Sequence, residues 1–150
     1  MKLVIQRVSS ARVEVDTRVV GSIEAGLMVL AGLVEGDAEA DLTWAAEKLA
    51  NLRIFEDEQG KMNRSVLDTR GGILLVPNFT LAGEAVKGRR PSFDRAMKPE
   101  VAGPMFARLA ELLRAAGVPT QTGVFRAHMV VTLVNDGPVT ILLDTAERAR

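Results

Sequence analysis

Cysteine is absent from this 150-residue chain, and the absence removes disulfides, thiolate nucleophiles and cysteine-ligated zinc at once. A reducing compartment suits such a chain. Histidine is almost absent: His128 stands alone in Ala127-His128-Met129-Val130, no serine lies in a G-x-S-x-G elbow, and the residue reads as structural or surface-lying. Glycine-rich phosphate cradles are missing as well, since neither G-x-x-x-x-G-K-S/T nor G-x-G-x-x-G occurs. Nucleotide hydrolysis and dinucleotide redox chemistry lose their main support, and neither a metal nor a cofactor is expected. The amino terminus, MKLVIQRVSSARVEV, has no apolar run longer than three residues, so it resembles neither a signal peptide nor a membrane anchor. A cytoplasmic location is expected.

Excess charge is the last absence. Nineteen basic and nineteen acidic side chains cancel, so no global field draws the chain to nucleic acid or membrane, and any RNA contact has to come from a local patch. Lys87-Gly88-Arg89-Arg90-Pro91-Ser92-Phe93 is the best such patch, three cations beside a glycine, a proline and an aromatic ring. As an isolated run it reads first as a solvated loop.

What is present reads as one domain over residues 1–150, long enough to bury about 70% of its unfolded surface. Residues 2–8, 12–16 and 19–23 carry strand patterns, with a turn at Asp16-Thr17-Arg18 making a hairpin. Residues 26–34 (GLMVLAGLV) are nearly all apolar and predict a strand buried on both faces. Asp37 is placed to cap a helix over 38–51, whose Leu42, Ala45, Ala46 and Leu49 share one face. Strands follow at 52–56 and 73–76, separated by a turn at 57–60. A second helix starts near Pro99, carries Val101, Met105, Leu109, Leu112, Leu113 and Ala116 on one side, and ends at Gly117 and Pro119. Two strands, 129–134 and 139–143, are expected on either side of Asn135-Asp136-Gly137-Pro138. The pattern predicts an α+β fold, mainly antiparallel curled β-sheets packed in layers with two helices.

Two segments are odd for purely structural pieces. Pro77-Asn78-Phe79-Thr80-Leu81 follows an apolar strand with a residue that removes a backbone donor, so the strand end there can expose consecutive N–H groups. Asn135-Asp136-Gly137-Pro138-Val139-Thr140 contains a Gly-Pro bond, a candidate for the cis form. From spacing alone, both read as turns.

Taken together, the blocks MKLVIQRVSSARVEVD, KLANLRIFEDEQGKMNRSV, KGRRPSF and TGVF followed by LVNDGPVTILLD resemble the D-aminoacyl-tRNA deacylases in order and spacing over essentially the whole chain. The resemblance implies hydrolysis of the ester joining a D-amino acid, or glycine, to the 3′ end of transfer RNA by a homodimer with active sites at the subunit interface. It puts the family's first motif, usually Ser-Gln-x-Thr, on Pro77, Asn78, Phe79 and Thr80, with backbone N–H groups near Phe79 and Thr80 as oxyanion donors and Asn78 beside them. It puts the second, a Gly-cisPro element that enters the partner's pocket and excludes L-residues, on Gly137 and Pro138. Under this resemblance Lys87, Arg89 and Arg90 become RNA-contact candidates. Arg7 and Gln6 become candidates for the adenosine pocket, and Phe125 and Met129 are expected to line the pocket close to the second motif. Pro77 and Asn78 depart from the usual Ser and Gln, so rate or side-chain preference is expected to differ. The second motif has the standard form, which implies ordinary D-specificity. The alternative is an RNA-binding module whose turnover the Pro77-Asn78 change has weakened or abolished.

Overall fold

The computed structural model describes residues 1–148. Strand pairing holds through the first segment without a break, so the two strands expected there are one, β1 (Lys2–Val15). The turn falls where expected: Asp16 and Thr17 take φ of 49° and 65°, the left-handed pair that a tight hairpin requires, and β2 (Arg18–Ile23) returns along the second half of β1. β3 (Gly26–Gly32) pairs antiparallel with the first half of β1.

Helix α1 (Glu39–Asn51) buries the four predicted residues of its face. Its cap is different. Ala38 is the N-cap, and Asp41 reaches back to accept from the Ala38 N–H at 2.9 Å. Asp37 is used elsewhere: its carboxylate pairs with the buried α-ammonium of Met1 and accepts from the Val34 N–H at 2.7 Å, because a buried cation without a counter-charge would be expensive. The strand expected over 52–56 contracts to β4 (Phe55–Glu56), which pairs only with β5 (Met62–Arg64) across the predicted turn. Leu52 still belongs to the helix exit, its N–H bonded to Lys48 O.

β6 (Gly72–Pro77) runs parallel to β3, and β7 (Thr120–Thr122) runs parallel to β6. The sheet is therefore mixed at one end. β7 escapes sequence reading because Thr120-Gln121-Thr122 has no apolar alternation. Helix α2 (Pro99–Ala115) buries Ala102, Phe106, Leu109, Ala110 and Leu113, so its apolar face is turned from the predicted one: Val101 and Ala116 fall on the exposed flank, and Met105 and Leu112 are only partly covered.

The largest revision concerns the end of the chain. β8 (Val130–Asp144) is a single strand running through Gly137-Pro138, not two strands joined by a turn, because both halves pair with the same partner. Residues 130–135 lie against the second half of β1 and residues 140–144 against the first. Between the pairs Gln6↔Thr140 and Val8↔Asn135, β1 supplies one residue, Arg7, and β8 supplies four, 136–139. Those four bulge out of the ladder.

Strict alternation divides the core in two. Leu27, Val29, Ile73 and Leu75 face α1 and α2, whereas Met28, Leu74 and Val76 face the other way and meet Val8, Ala11 and Val13 where the sheet curls on itself. The closure is tight: a Cβ added at Gly21 of β2 would lie 2.8 Å from Thr122 O of β7.

Candidate active site

At the C-terminal end of β6, Pro77 closes the strand and Asn78 opens a one-turn 3-10 helix, Phe79–Ala82. The Asn78 N–H bonds Ala31 O of β3 at 2.8 Å, which ties the turn to the sheet. Asn78 Oδ1 accepts from the Thr80 N–H at 3.1 Å and from Thr80 Oγ1 at 2.5 Å. Of the two amides expected to serve as oxyanion donors, that of Thr80 is thus occupied by the neighbouring side chain, while the Phe79 N–H has no partner among the described residues. The Phe79 ring is 60% exposed.

A cavity of about 720 Å³ opens beside this turn. Pro77, Asn78 and Phe79 form one wall, and Phe106, Phe125 and Met129 form part of another. Two glycines make room for them. A Cβ at Gly123 would stand 2.7 Å from Met129 Sδ and 3.2 Å from Pro77 Cδ, and one at Gly103 would touch the Phe125 ring at 3.3 Å. Phe125 and Met129 therefore line a pocket, but next to the first motif; Gly137 and Pro138 of the same chain are not on its wall.

The basic segment sits close by. Glu84 and Ser92 exchange two backbone hydrogen bonds of 2.8 and 2.9 Å, closing a loop from which Lys87, Arg89 and Arg90 project into solvent. Phe93 at its base meets Phe79 edge to face, with ring centres 5.4 Å apart, so the loop and the first motif share one rim. His128 is exposed, and no group of three or more His, Asp or Glu side chains among the described residues is arranged to hold a metal ion.

The second motif is held from below. Arg7 is buried, which differs from a contact residue on an open surface: its Nε donates to Asp136 O and its Nη1 to Ile54 O, both at 2.8 Å. Asn135 Nδ2 donates to Arg7 O at 3.0 Å and to Val139 O at 3.1 Å, spanning the base of the bulge. Between these supports the Gly137-Pro138 bond is cis, and both residues are exposed. Gln6 is one pair away, donating to Thr140 Oγ1 at 3.1 Å.

Residues 4–144 match the family described as D-Tyr-tRNA(Tyr) deacylase. The chain belongs to the D-aminoacyl-tRNA deacylase family. It is 59% identical over 145 residues to a D-aminoacyl-tRNA deacylase of Geobacter metallireducens, covering 97% of this chain and 96% of that one. It is 56% identical over 147 residues to a namesake from Thermomicrobium roseum, covering 98% and 96%. Among solved structures, a c-Myc DNA unwinding element binding protein superposes with a TM-score of 0.89 at 40% identity over 96% of this chain and 98% of its own. A structure titled as a probable eukaryotic D-amino acid tRNA deacylase shares the fold, with a TM-score of 0.82 at 20% identity over 95% and 97%. Both motifs and the basic loop lie inside the matched span. Sequence reading missed Lys98, Pro99, Ala102, Phe106 and Arg126 as cavity residues, since α2 and the 123–129 segment approach β6 only in three dimensions.

Proposed function

We propose that this protein hydrolyses D-aminoacyl-tRNA and glycyl-tRNA in the cytosol as a homodimer, each subunit lending its Gly137-Pro138 corner to the other's cavity. The observation that carries this reading is the bulge at 136–139, braced by Arg7 and Asn135 on a strand with no neighbour on its outer edge among the described residues. Val131 lines the cavity, and Gly137 is six residues further along β8, off the cavity wall. A corner that does not reach its own cavity's wall is suited to a partner's. There its carbonyls would fill the space of an L side chain while a D-residue or glycine fits, which is discrimination by clash.

The reaction needs little from side chains. An aminoacyl ester is already activated, so water adds to the carbonyl carbon, the acyl–oxygen bond to the ribose breaks, and the ribose hydroxyl leaves with a proton. The adjacent ribose hydroxyl of the RNA assists, and the free backbone N–H of Phe79 receives the oxyanion, joined by that of Thr80 once the Asn78 side chain turns off it, one such donor being worth about 2.7–4 kcal/mol. Thr80 itself has no nearby base to make it a nucleophile. Lys87, Arg89 and Arg90 meet phosphates of the acceptor strand. The test is a deacylation assay on matched D- and L-aminoacyl-tRNA and on glycyl-tRNA. Hydrolysis confined to the D and glycyl esters is expected, and equal rates on both enantiomers would defeat the exclusion argument.

A second reading, a binder with little turnover, is favoured by one observation, the Asn78 carbonyl on the Thr80 N–H. The double substitution Pro77→Ser, Asn78→Gln separates the two. A silent parent that becomes active was a binder, and an active parent was an enzyme throughout.

A further inference from the structure

The cavity beside Phe79 has only two charged residues on its wall, Lys98 and Arg126, both cationic; apart from Asn78 the rest of the wall is apolar. Arg126 occupies an unusual position. It is the third residue of a turn closed by the Ala127 N–H on Val124 O at 3.2 Å, and its φ is 66°, where the turn calls for glycine because a Cβ crowds the backbone. The side chain is exposed and takes part in no ion pair among the described residues. A strained residue with a free guanidinium at the mouth of an apolar cavity is placed for a ligand rather than for stability. Lys98 adds to the same field as the N-cap of α2, a 17-residue helix with no side-chain cap, whose positive end opens toward the cavity wall.

We propose that Arg126, with Lys98, binds the phosphodiester that joins the terminal adenosine of the substrate RNA to the preceding nucleotide. The proposal rests on the deacylase reading above and adds the residues that recognise the RNA strand next to the scissile ester. A cavity of about 720 Å³ lined by Phe79, Phe106 and Phe125 accommodates a nucleoside-sized aromatic body. A guanidinium fork at its mouth is matched to two phosphate oxygens. Phe125 supports the position from inside, packing on Phe106 at 6.3 Å and over Gly103.

The experiment compares two non-hydrolysable probes, 3′-amide-linked D-alanyl-adenosine with and without a 5′-phosphate, by calorimetry at low salt. The phosphate is expected to tighten binding about tenfold in the parent. Arg126→Gly should cut that ratio to about twofold, and Arg126→Lys should keep a larger share of it. Because glycine suits the turn, Arg126→Gly should also melt no lower than the parent, so a lost ratio cannot be ascribed to unfolding. A parent indifferent to the phosphate, or an undiminished ratio in Arg126→Gly, overturns the proposal. An Arg126-dependent ratio in a protein that leaves D-aminoacyl-tRNA intact overturns the hydrolase reading and leaves this one standing. If neither probe binds, this proposal falls, and the deacylation assay alone decides the hydrolase reading.

Discussion

The proposed chemistry turns on single residues at two places. At Gly137 an added Cβ would lie 2.0 Å from Val139 N and 3.0 Å from Asn135 Oδ1, so the backbone of the corner itself would have to move. Gly137→Ala should therefore lower D-aminoacyl-tRNA hydrolysis by about tenfold or more, or admit L-esters, with both esters measured side by side. At Thr80 the hydroxyl donates to Asn78 Oδ1 and is thereby tied up. Thr80→Ala should keep kcat within about threefold of the parent, since the backbone amide remains. A fall to the uncatalysed rate, with the circular dichroism spectrum unchanged, would show that the hydroxyl takes part. Both residues were identifiable from the motifs. Their hydrogen bonds were not, because the Asn78 contact depends on the helical turn that follows Pro77.

Among the elements, the turn between β4 and β5 is held by a carboxylate. Asp57 accepts from the N–H groups of Gln59 and Lys61 and from Asn63 Nδ2 at 2.8–3.0 Å. The Asn63 bond first, then the two backbone bonds, push its pKa below the usual 3.8. Asp68 is lowered likewise, by the Ser65 N–H and then the Ser65 hydroxyl. Since the folded pKa is the lower one, the unfolded chain binds protons first as acid is added. The stabilisation is complete above the ordinary carboxylate pKa of about 4 and disappears as pH falls through the depressed values. Melting temperature should thus drop below about pH 4, and Asp57→Asn should drop less steeply over that range; equal slopes would remove Asp57 from the account. The turn was visible in Asp57-Glu58-Gln59-Gly60. The narrowness of β4 was not, because Leu52 is held by the helix before it.

For the molecule as a whole, the question is whether one site draws on two chains. The outer edge of β8 is unpaired among the described residues, and Val130, Val134 and Leu142 are 53%, 55% and 72% exposed, an apolar stripe suited to burial against a copy. A mixing experiment decides it. Gly123→Val crowds Met129 and Pro77 of the cavity wall and spares the corner, whereas Gly137→Ala alters the corner and spares the cavity. If corners act in trans, co-refolding equal amounts of the two variants should restore activity in roughly one site in four, because half the dimers are mixed and each mixed dimer has one site with both parts intact. If they act in cis, no site is whole and the mixture stays silent.

Local sequence determined the hairpin at Asp16-Thr17, the spans of both helices and the doubly buried β3. Each of these follows from periodicity or turn chemistry within a few residues, whereas the two motifs and the family came from the resemblance of the ordered blocks. Tertiary structure alone decided that β8 runs unbroken past Gly137-Pro138, that Arg7 braces the corner from beneath, that Asp37 serves Met1 instead of the helix, and that Arg126 reaches the cavity. Those outcomes depend on partners far apart in the chain, 129 positions for Arg7 and Asp136. Alternation along a strand says which face is buried, but not which distant strand or charge will meet it.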